Sequence, residues 1–184
     1  MTDVDTSSWK EFKLTDIGFS IYHGKRLTKE DRIPGNIPFV TAGENNFGVA
    51  EYVSNDCEIY NDAITVDMFG NCFFHEGIIS GDDNIYFFIN DNLDKRIKIF
   101  ISACIAKKVK GQFSYTKQFR QNSANNLSIL LPAAESYELD WAYMQSLISE
   151  LEQERISELS AYLDAAGFDD YELTEEEKIM LGII

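Results

Sequence analysis

The chain has 184 residues, 45% hydrophobic and 13% aromatic, and its 31 Asp and Glu outnumber 16 Lys and Arg for a formal net charge of −15. That composition suffices for a packed core and argues against disorder, and no apolar run approaches the roughly 18 residues that a membrane helix needs. Three cysteines (Cys57, Cys72, Cys104) without CxxC spacing and two histidines (His23, His75) make no zinc pattern, so the expectation is a soluble cytoplasmic protein with reduced thiols, no metal, no cofactor and no membrane contact.

The acidity is unevenly placed. Residues 1–134 hold 14 basic and 17 acidic side chains, whereas residues 135–184 hold 2 and 14. The first part is therefore close to neutral, and its positive charge is clustered. Lys95 to Ala134 contains eight basic residues and no acid. Phosphate binding depends on local potential rather than net charge, so nucleic acid stays open as a partner.

In chain order, Met1–Ser8 is a polar lead. Trp9-Lys-Glu-Phe-Lys-Leu14 starts ordered structure, and Leu14-Thr-Asp-Ile17 reads as a short helical turn. Phe19–Tyr22 alternates as a strand does. A charged loop follows, holding Lys25, Arg26, Lys29 and Arg32 behind Gly24. Ile37–Thr41, Val49–Val53, Ala63–Asp67, Cys72–His75 and Asn84–Ile89 read as short strands, each bounded by Gly, Asn or Asp. Leu93, Ile97, Phe100, Ile101, Cys104 and Ile105 then share one helical face. Lys95, Arg96, Lys98, Lys107 and Lys110 lie opposite or at its borders, and Gly111 is a suitable stop. Gln112–Asn126 mixes aromatic, basic and amide side chains as a polar loop. Leu127–Leu131 is a last strand, closed by Pro132.

From Asp140 to Ala166 there is neither Gly nor Pro. Trp141, Met144, Ile148, Leu151, Ile156, Leu159 and Leu163 recur at a mean step of about 3.7, close to a straight helix. Asp140 is a fair N-cap, and at about 1.5 Å per residue the segment reaches roughly 40 Å. Its outer face is acidic (Glu150, Glu152, Glu154, Glu158), which suits a helix pairing with a partner better than one folded onto its own sheet. Gly167 ends it, and Thr174 with Glu177 forms a capping box for another helix. The expected fold class is α/β (α+β): a twisted mixed β-sheet domain with a packed helix over 1–134, a long coiled-coil-type helix over 135–166, and a linker with the start of a further helix over 167–184.

Catalytic patterns are missing. The chain has no glycine-rich phosphate loop, no GxGxxG, and no nucleophile with a neighbouring His. Glu176-Glu-Lys178 has a nuclease-like E-x-K spacing, but no Pro-Asp accompanies it and it lies in a Glu-rich helix start. Asp82-Asp83 reads as a turn rather than a metal pair. A methylase would also need an Asn/Asp-Pro-Pro-aromatic turn, which is absent. The expectation is a non-catalytic protein.

These segments, in their order and spacing, resemble one half of a DNA-specificity (S) subunit of type I restriction-modification systems, or the similar recognition subunit of type IIB systems. The resemblance rests on Trp9–Leu14 with Ile17 and Phe19-Ser-Ile; Gly24-Lys-Arg-Leu-Thr-Lys29; Ile37-Pro-Phe-Val-Thr-Ala-Gly43 with Asn45-Asn46, Gly48-Val49 and Tyr52-Val53; Tyr115-Thr-Lys-Gln-Phe-Arg120; Leu130-Leu-Pro132; and Leu139-Asp-Trp141 leading into the long helix. Thr116 departs from it, standing where Gly is expected. The resemblance implies a target-recognition domain followed by a spacer helix. Two such pairs in a full subunit clamp a bipartite DNA site and recruit methylase (M) subunits, with restriction (R) subunits in type I systems. A single half would act as a homodimer through its helix, or as the first half of a longer protein.

On this reading Lys25, Arg26, Lys29, Arg32, Lys107, Lys108 and Lys110 are expected to contact phosphates and to set affinity. Asn45, Asn46, Lys117, Gln118, Arg120, Gln121 and Asn122 are candidate base readers, since Arg suits guanine and Asn or Gln suits adenine. Tyr115 and Phe119 are expected to pack the loop. Trp141, Met144, Ile148, Leu151, Ile156, Leu159 and Leu163 are the expected partner-facing seam. Two rival readings remain: an acidic antirestriction or DNA-mimic protein that binds a methylase complex, suggested by the −12 of residues 135–184, and an enzyme whose site is unrecognised.

Overall fold

A computed structural model describes residues 4–168 together with Glu175 and Lys178. Its strands are β1 (Lys10–Lys13), β2 (Ser20–His23), β3 (Pro34–Val40), β4 (Val49–Val53), β5 (Tyr60–Asp67), β6 (Cys72–Gly81), β7 (Ile85–Ile89) and β8 (Ser128–Leu131). Its α-helices are α1 (Lys95–Val109), α2 (Gln121–Asn125) and α3 (Trp141–Ala165). The expected mixed sheet, packed helix and long C-terminal helix are all present. The Thr174–Glu177 capping box lies outside the described residues.

Six strands form one sheet in the order β2-β7-β5-β6-β3-β4. Its pairings are antiparallel except β3 with β6, which run parallel over Phe39↔Ser80 and Val40↔Gly81. The alternating apolar residues of these strands meet in a cluster of Val40, Ala63, Ile79, Ile85 and Phe87. A Cβ on Gly81 would lie 2.9 Å from the Phe87 ring and 3.1 Å from Val40 O, so the turn into β7 admits no larger side chain without a shift. A separate two-stranded sheet pairs β1 with β8, Lys10↔Leu131 through Lys13↔Ser128, joining segments over a hundred residues apart.

Three elements differ from expectation. β6 runs on to Gly81 instead of ending at His75, because Gly77 at φ +74° kinks the strand without ending it. The kink coincides with a register shift between Asn61 and Ala63, where the Gly77 N–H donates to Asp62 Oδ1 at 2.7 Å. Leu14–Ile17 is a pair of turns rather than a helix, closed by Asp16 N–H to Lys13 O and Gly18 N–H to Thr15 O, with Gly18 at φ +91°. The polar segment after α1 is not all loop, since α2 interrupts it.

Helix α1 follows its pattern closely. Asp94 caps it by accepting the Arg96 N–H at 2.8 Å, and Gly111 follows it at φ +71°. Ile97, Phe100, Ile101, Ile105 and Val109 are buried, each worth about 1.5–3 kcal/mol of apolar transfer. Trp9 packs on Phe100 with ring centroids 5.5 Å apart. Lys98 departs from the expected solvent face: it is only 4% exposed.

The chain divides into two compact units, Met1–Ser146 and Leu147–Ile184, the boundary falling within α3. In the first unit Asp140 caps α3 by accepting the Tyr143 N–H at 2.9 Å, and Met144 is fully buried. Met144 therefore belongs to the core of its own unit and is removed from the expected seam. In the second unit Leu151, Ile156 and Leu159 are 41%, 60% and 58% exposed. There α3 ends in a glycine motif, with Gly167 at φ +78° and the Phe168 N–H donating to Leu163 O at 3.0 Å. No helix of the described residues is long and apolar enough to cross a membrane.

Candidate nucleic-acid interface

The loops carrying the candidate DNA contacts are far apart in sequence but are tied in series by two aspartates. The first tie is at Asp82. The strap of residues 24–32 is held to the β6–β7 turn by Gly24 N–H to Ile85 O, Lys25 N–H to Gly81 O, and Leu27 N–H to Asp82 Oδ1 at 3.2 Å. A Cβ on Gly24 would sit 2.2 Å from Asp82 O, so only glycine lets the strap come this close. The same turn holds the end of β3 through Asp82 N–H to Val40 O at 2.9 Å. Asp82 also accepts the Asp83 N–H, so this pair serves a turn.

The second tie is Asp67, 4% exposed at the end of β5. Its Oδ1 accepts the N–H groups of Phe69 (2.8 Å) and Asn71 (2.9 Å), and its Oδ2 accepts Gly43 N–H (2.9 Å) and Asn71 Nδ2 (2.8 Å). One carboxylate thus shapes the 67–71 turn and anchors the loop bearing Asn45 and Asn46. The turn in turn holds the next segment: Phe119 N–H donates to Met68 O at 2.8 Å. Phe119 is fully buried against Phe113 and Tyr86, and Tyr86 stacks on His23 at the end of β2. Composition and periodicity did not single out Asp67. Its local signature is Asp-x-x-Gly-Asn, an Asx turn with Gly70 at φ +86°.

Within this frame the expected phosphate contacts separate. Lys25, Arg26 and Lys29 are exposed on the strap; Lys25 lies 3.4 Å from Glu58 and Arg26 lies 3.9 Å from Asp83. These pairs are solvated and weak, so they yield readily to a phosphate. Arg32 is different and is a correction to the expected set. Its side chain is 10% exposed, its guanidinium lies 4.9 Å from the Phe39 ring centroid, and it bonds Leu27 O and Glu51. It braces the strap, with three of its five N–H donors already engaged.

The three lysines at the end of α1 also diverge, as successive helical positions must. Lys110 lines a cleft of about 710 Å³ with Glu44, Phe69, Phe73 and Phe113. Lys107 and Lys108 line a groove with Trp9, Cys104 and Leu130, and Lys108 lies 3.4 Å from Glu11. Only Lys110 adjoins the loop of Asn45 and Asn46.

The candidate base readers are exposed to different degrees. Ser114 and Lys117 exchange N–H···O bonds of 3.0 and 3.1 Å, making a tight turn with Tyr115 and Thr116 at its tip. Thr116 is not at positive φ, so the glycine expected there is not required. Tyr115 is 79% exposed rather than packed. Lys117 and Arg120 are exposed, whereas Gln118 is half-buried and used internally, donating to Tyr115 O and accepting from Arg120. Gln121 and Asn122 lie on α2, where Gln121 bonds Asn125 and Asn122 accepts from Asn126. Asn46 donates to Val49 O at 3.1 Å. Among the described residues Asn45 and Lys117 make no side-chain hydrogen bond.

The remaining chemistry is quiet. Burial pushes the Cys72 thiol up and the Cys104 thiol up to about 11, so neither is a thiolate at neutral pH. Among the described residues no group of three or more His, Cys, Asp or Glu is placed to hold a metal ion.

Residues 6–161 match the family model described as type I restriction modification DNA specificity domain. The specificity subunit S.BcgI of a type II restriction enzyme from Heyndrickxia coagulans is 30% identical over 151 residues, covering 79% of this chain and 44% of that protein. Among solved structures, the type I restriction-modification S subunit from M. genitalium superposes with a TM-score of 0.56 at 18% identity, covering 84% of this chain and 42% of that one. The HsdS subunit from Thermoanaerobacter tengcongensis superposes with a TM-score of 0.51 at 12% identity, covering 89% and 41%. This chain spans less than half the length of each of these proteins. The chain belongs to the type I restriction modification DNA specificity domain family.

Proposed function

We propose that residues 1–134 bind double-stranded DNA sequence-specifically, as one target-recognition half of a specificity subunit. The series of ties through Asp82 and Asp67 carries this reading, because it supports the strap, the Asn45 loop and the 114–120 turn on one rigid frame. Rigid support of this kind is what base discrimination requires, as a donor displaced by an ångström loses its partner. Lys25, Arg26, Lys29 and Lys110 are assigned to phosphates, with Lys107 and Lys108 as an outlying pair. Asn45, Lys117 and Arg120 are assigned to base edges, with Asn46, Gln118, Gln121 and Asn122 as supporting amides. Helix α3 is assigned to protein contact, through Trp141, Ile148, Leu151, Ile156, Leu159 and Leu163. It would join two halves around a bipartite site, recruiting methylase subunits, with restriction subunits where the system has them. A two-fold homodimer is the simplest such arrangement for a single half. Twelve excess acidic charges over residues 135–184 keep that part away from phosphate and towards protein.

The same acidity motivates the rival reading of a DNA mimic that occupies a methylase. A gel shift with the chain, its partner methylase and duplex DNA separates the two. Specific retardation only with methylase and chain together, weakening steeply with salt, is the expected result. Displacement of DNA from the methylase by the chain would instead establish the mimic.

A further inference from the structure

Asn46, Phe47 and Gly48 occupy three successive left-handed positions, at φ +47°, +53° and +82°. Asparagine and glycine adopt this conformation readily, whereas a phenylalanine is strained there. The strain is not offset by burial, since Phe47 is 65% exposed. Its neighbours are firmly fixed. Thr41 N–H donates to Gly48 O at 2.9 Å, Gly43 is held by Asp67, and Asn46 bonds Val49 O. The ring makes a T-shaped contact with Phe73, centroids 5.7 Å apart at 88°, and lines an open cleft with Pro38, Tyr52 and His75. The loop thus holds an aromatic ring outward at a position where glycine would relieve the backbone. Persistent strain of this kind marks positions kept for what they touch. Tyr137 at φ +64° is the other bulky case, but its ring lies beneath the Lys10 ammonium in a short turn after β8.

Resting on the DNA-recognition reading above, we propose that Phe47 is a specificity residue whose exposed ring edge reads the C5-methyl group of a thymine in the major groove, next to the base contact of Asn45. The loop's place favours DNA: it adjoins the cleft lined by Lys110, and Asp67 ties it to the turn that anchors the exposed Lys117–Arg120 segment, which outweighs the single acid, Glu44, that the loop brings to that cleft. An apolar ring beside an amide suits adjoining thymine and adenine contacts, since the thymine methyl is the one apolar feature of the major groove. An unstacking wedge fits less well. A wedge must enter whole between base pairs, and this ring is already in contact with Phe73.

The test uses the full-length chain assembled with its methylase, selecting from a randomised duplex library, for the wild type and for Phe47→Gly. Glycine suits the left-handed backbone, so the variant is expected to unfold at the wild-type temperature or above it. The wild type is expected to enrich a motif in which Phe47→Gly loses preference at one thymine. Deoxyuridine at that thymine lowers wild-type affinity about fourfold, the worth of one buried methyl group, and leaves Phe47→Gly affinity unchanged. An identical motif for both proteins, or wild-type affinity insensitive to deoxyuridine at every thymine, overturns the assignment while leaving DNA recognition standing. Failure of a folded Phe47→Gly chain to assemble with the methylase would make Phe47 a protein-docking residue and overturns it too. If the wild type enriches no motif, the recognition reading falls and the Phe47 assignment with it. The deoxyuridine measurement needs no variant, so insensitivity at every thymine overturns the assignment even if Phe47→Gly misfolds, and Phe47→Leu then replaces it as the variant that must lose the thymine preference.

Discussion

Asp67 is the residue on which most of the candidate interface depends. It satisfies three backbone N–H groups and one side-chain N–H from a position closed to solvent. Removing a buried acceptor leaves its donors without water or partner, which costs far more than the net worth of the bonds themselves. Asp67→Ala is expected to destabilise the chain by about 2–4 kcal/mol in urea denaturation. It should also expose Gly43 and Asn71 amides to rapid hydrogen exchange. A loss below about 0.5 kcal/mol with unchanged exchange would show that the loops hold their form without it. Arg32 is the comparable case among basic residues: charge pattern groups it with Lys25, Arg26 and Lys29, yet its ring and carbonyl contacts hold it largely buried. Periodicity in a loop says nothing about which side chain turns inward, so no reading of residues 25–32 alone could separate them.

At the scale of elements, the helices follow their local chemistry most faithfully. Asp94, Gly111, Asp140 and Gly167 bound α1 and α3 because capping is decided within a few residues of the chain. What such signals leave open is what an apolar face meets. Met144 shares its face with Ile148 and Leu151 in the sequence, but it is buried in the first unit while Leu151 stays exposed. In the second unit Ile148, Leu151, Ile156, Leu159 and Leu163 fall within an arc of roughly 140° at 100° per residue, an apolar stripe wide enough for a helical partner. Ile148→Asp combined with Leu151→Asp is expected to reduce the mass seen by light scattering from dimer to monomer. An unchanged mass, or a monomeric wild type, would remove this stripe from self-association. The strands were less readable. β6 passes through Glu76-Gly77, a pair that reads as a terminator, because the bulge opposite Asp62 absorbs the left-handed glycine.

For the molecule as a whole, pH is expected to act through His75. Burial holds its imidazole down to about 4 from an ordinary 6.5, and its Nε2 lies 2.9 Å from Thr65 Oγ1. Between those values the unfolded chain binds a proton that the folded chain does not. Stability is therefore fully present above about pH 6.5 and is lost as pH falls towards 4, by up to about 3 kcal/mol. His75→Gln should flatten that part of the stability profile measured by denaturation between pH 7 and 4.5. Parallel profiles for the two proteins would rule out His75 as the cause.

The sequence alone determined the class of fold, the ends of the long helices, the split between a near-neutral first part and an acidic second part, and the family resemblance. Each depends on local pattern, on summed charge, or on the order of short segments, and all of these survive without three-dimensional contacts. Only the tertiary structure decided which basic residues face solvent, that Asp67 and Asp82 tie three distant loops in series, that Met144 lies inside its unit, and that Phe47 is held outward on a strained backbone. Those outcomes depend on hydrogen bonds and packing between residues tens of positions apart. Such long-range partners leave no periodic trace in a single chain.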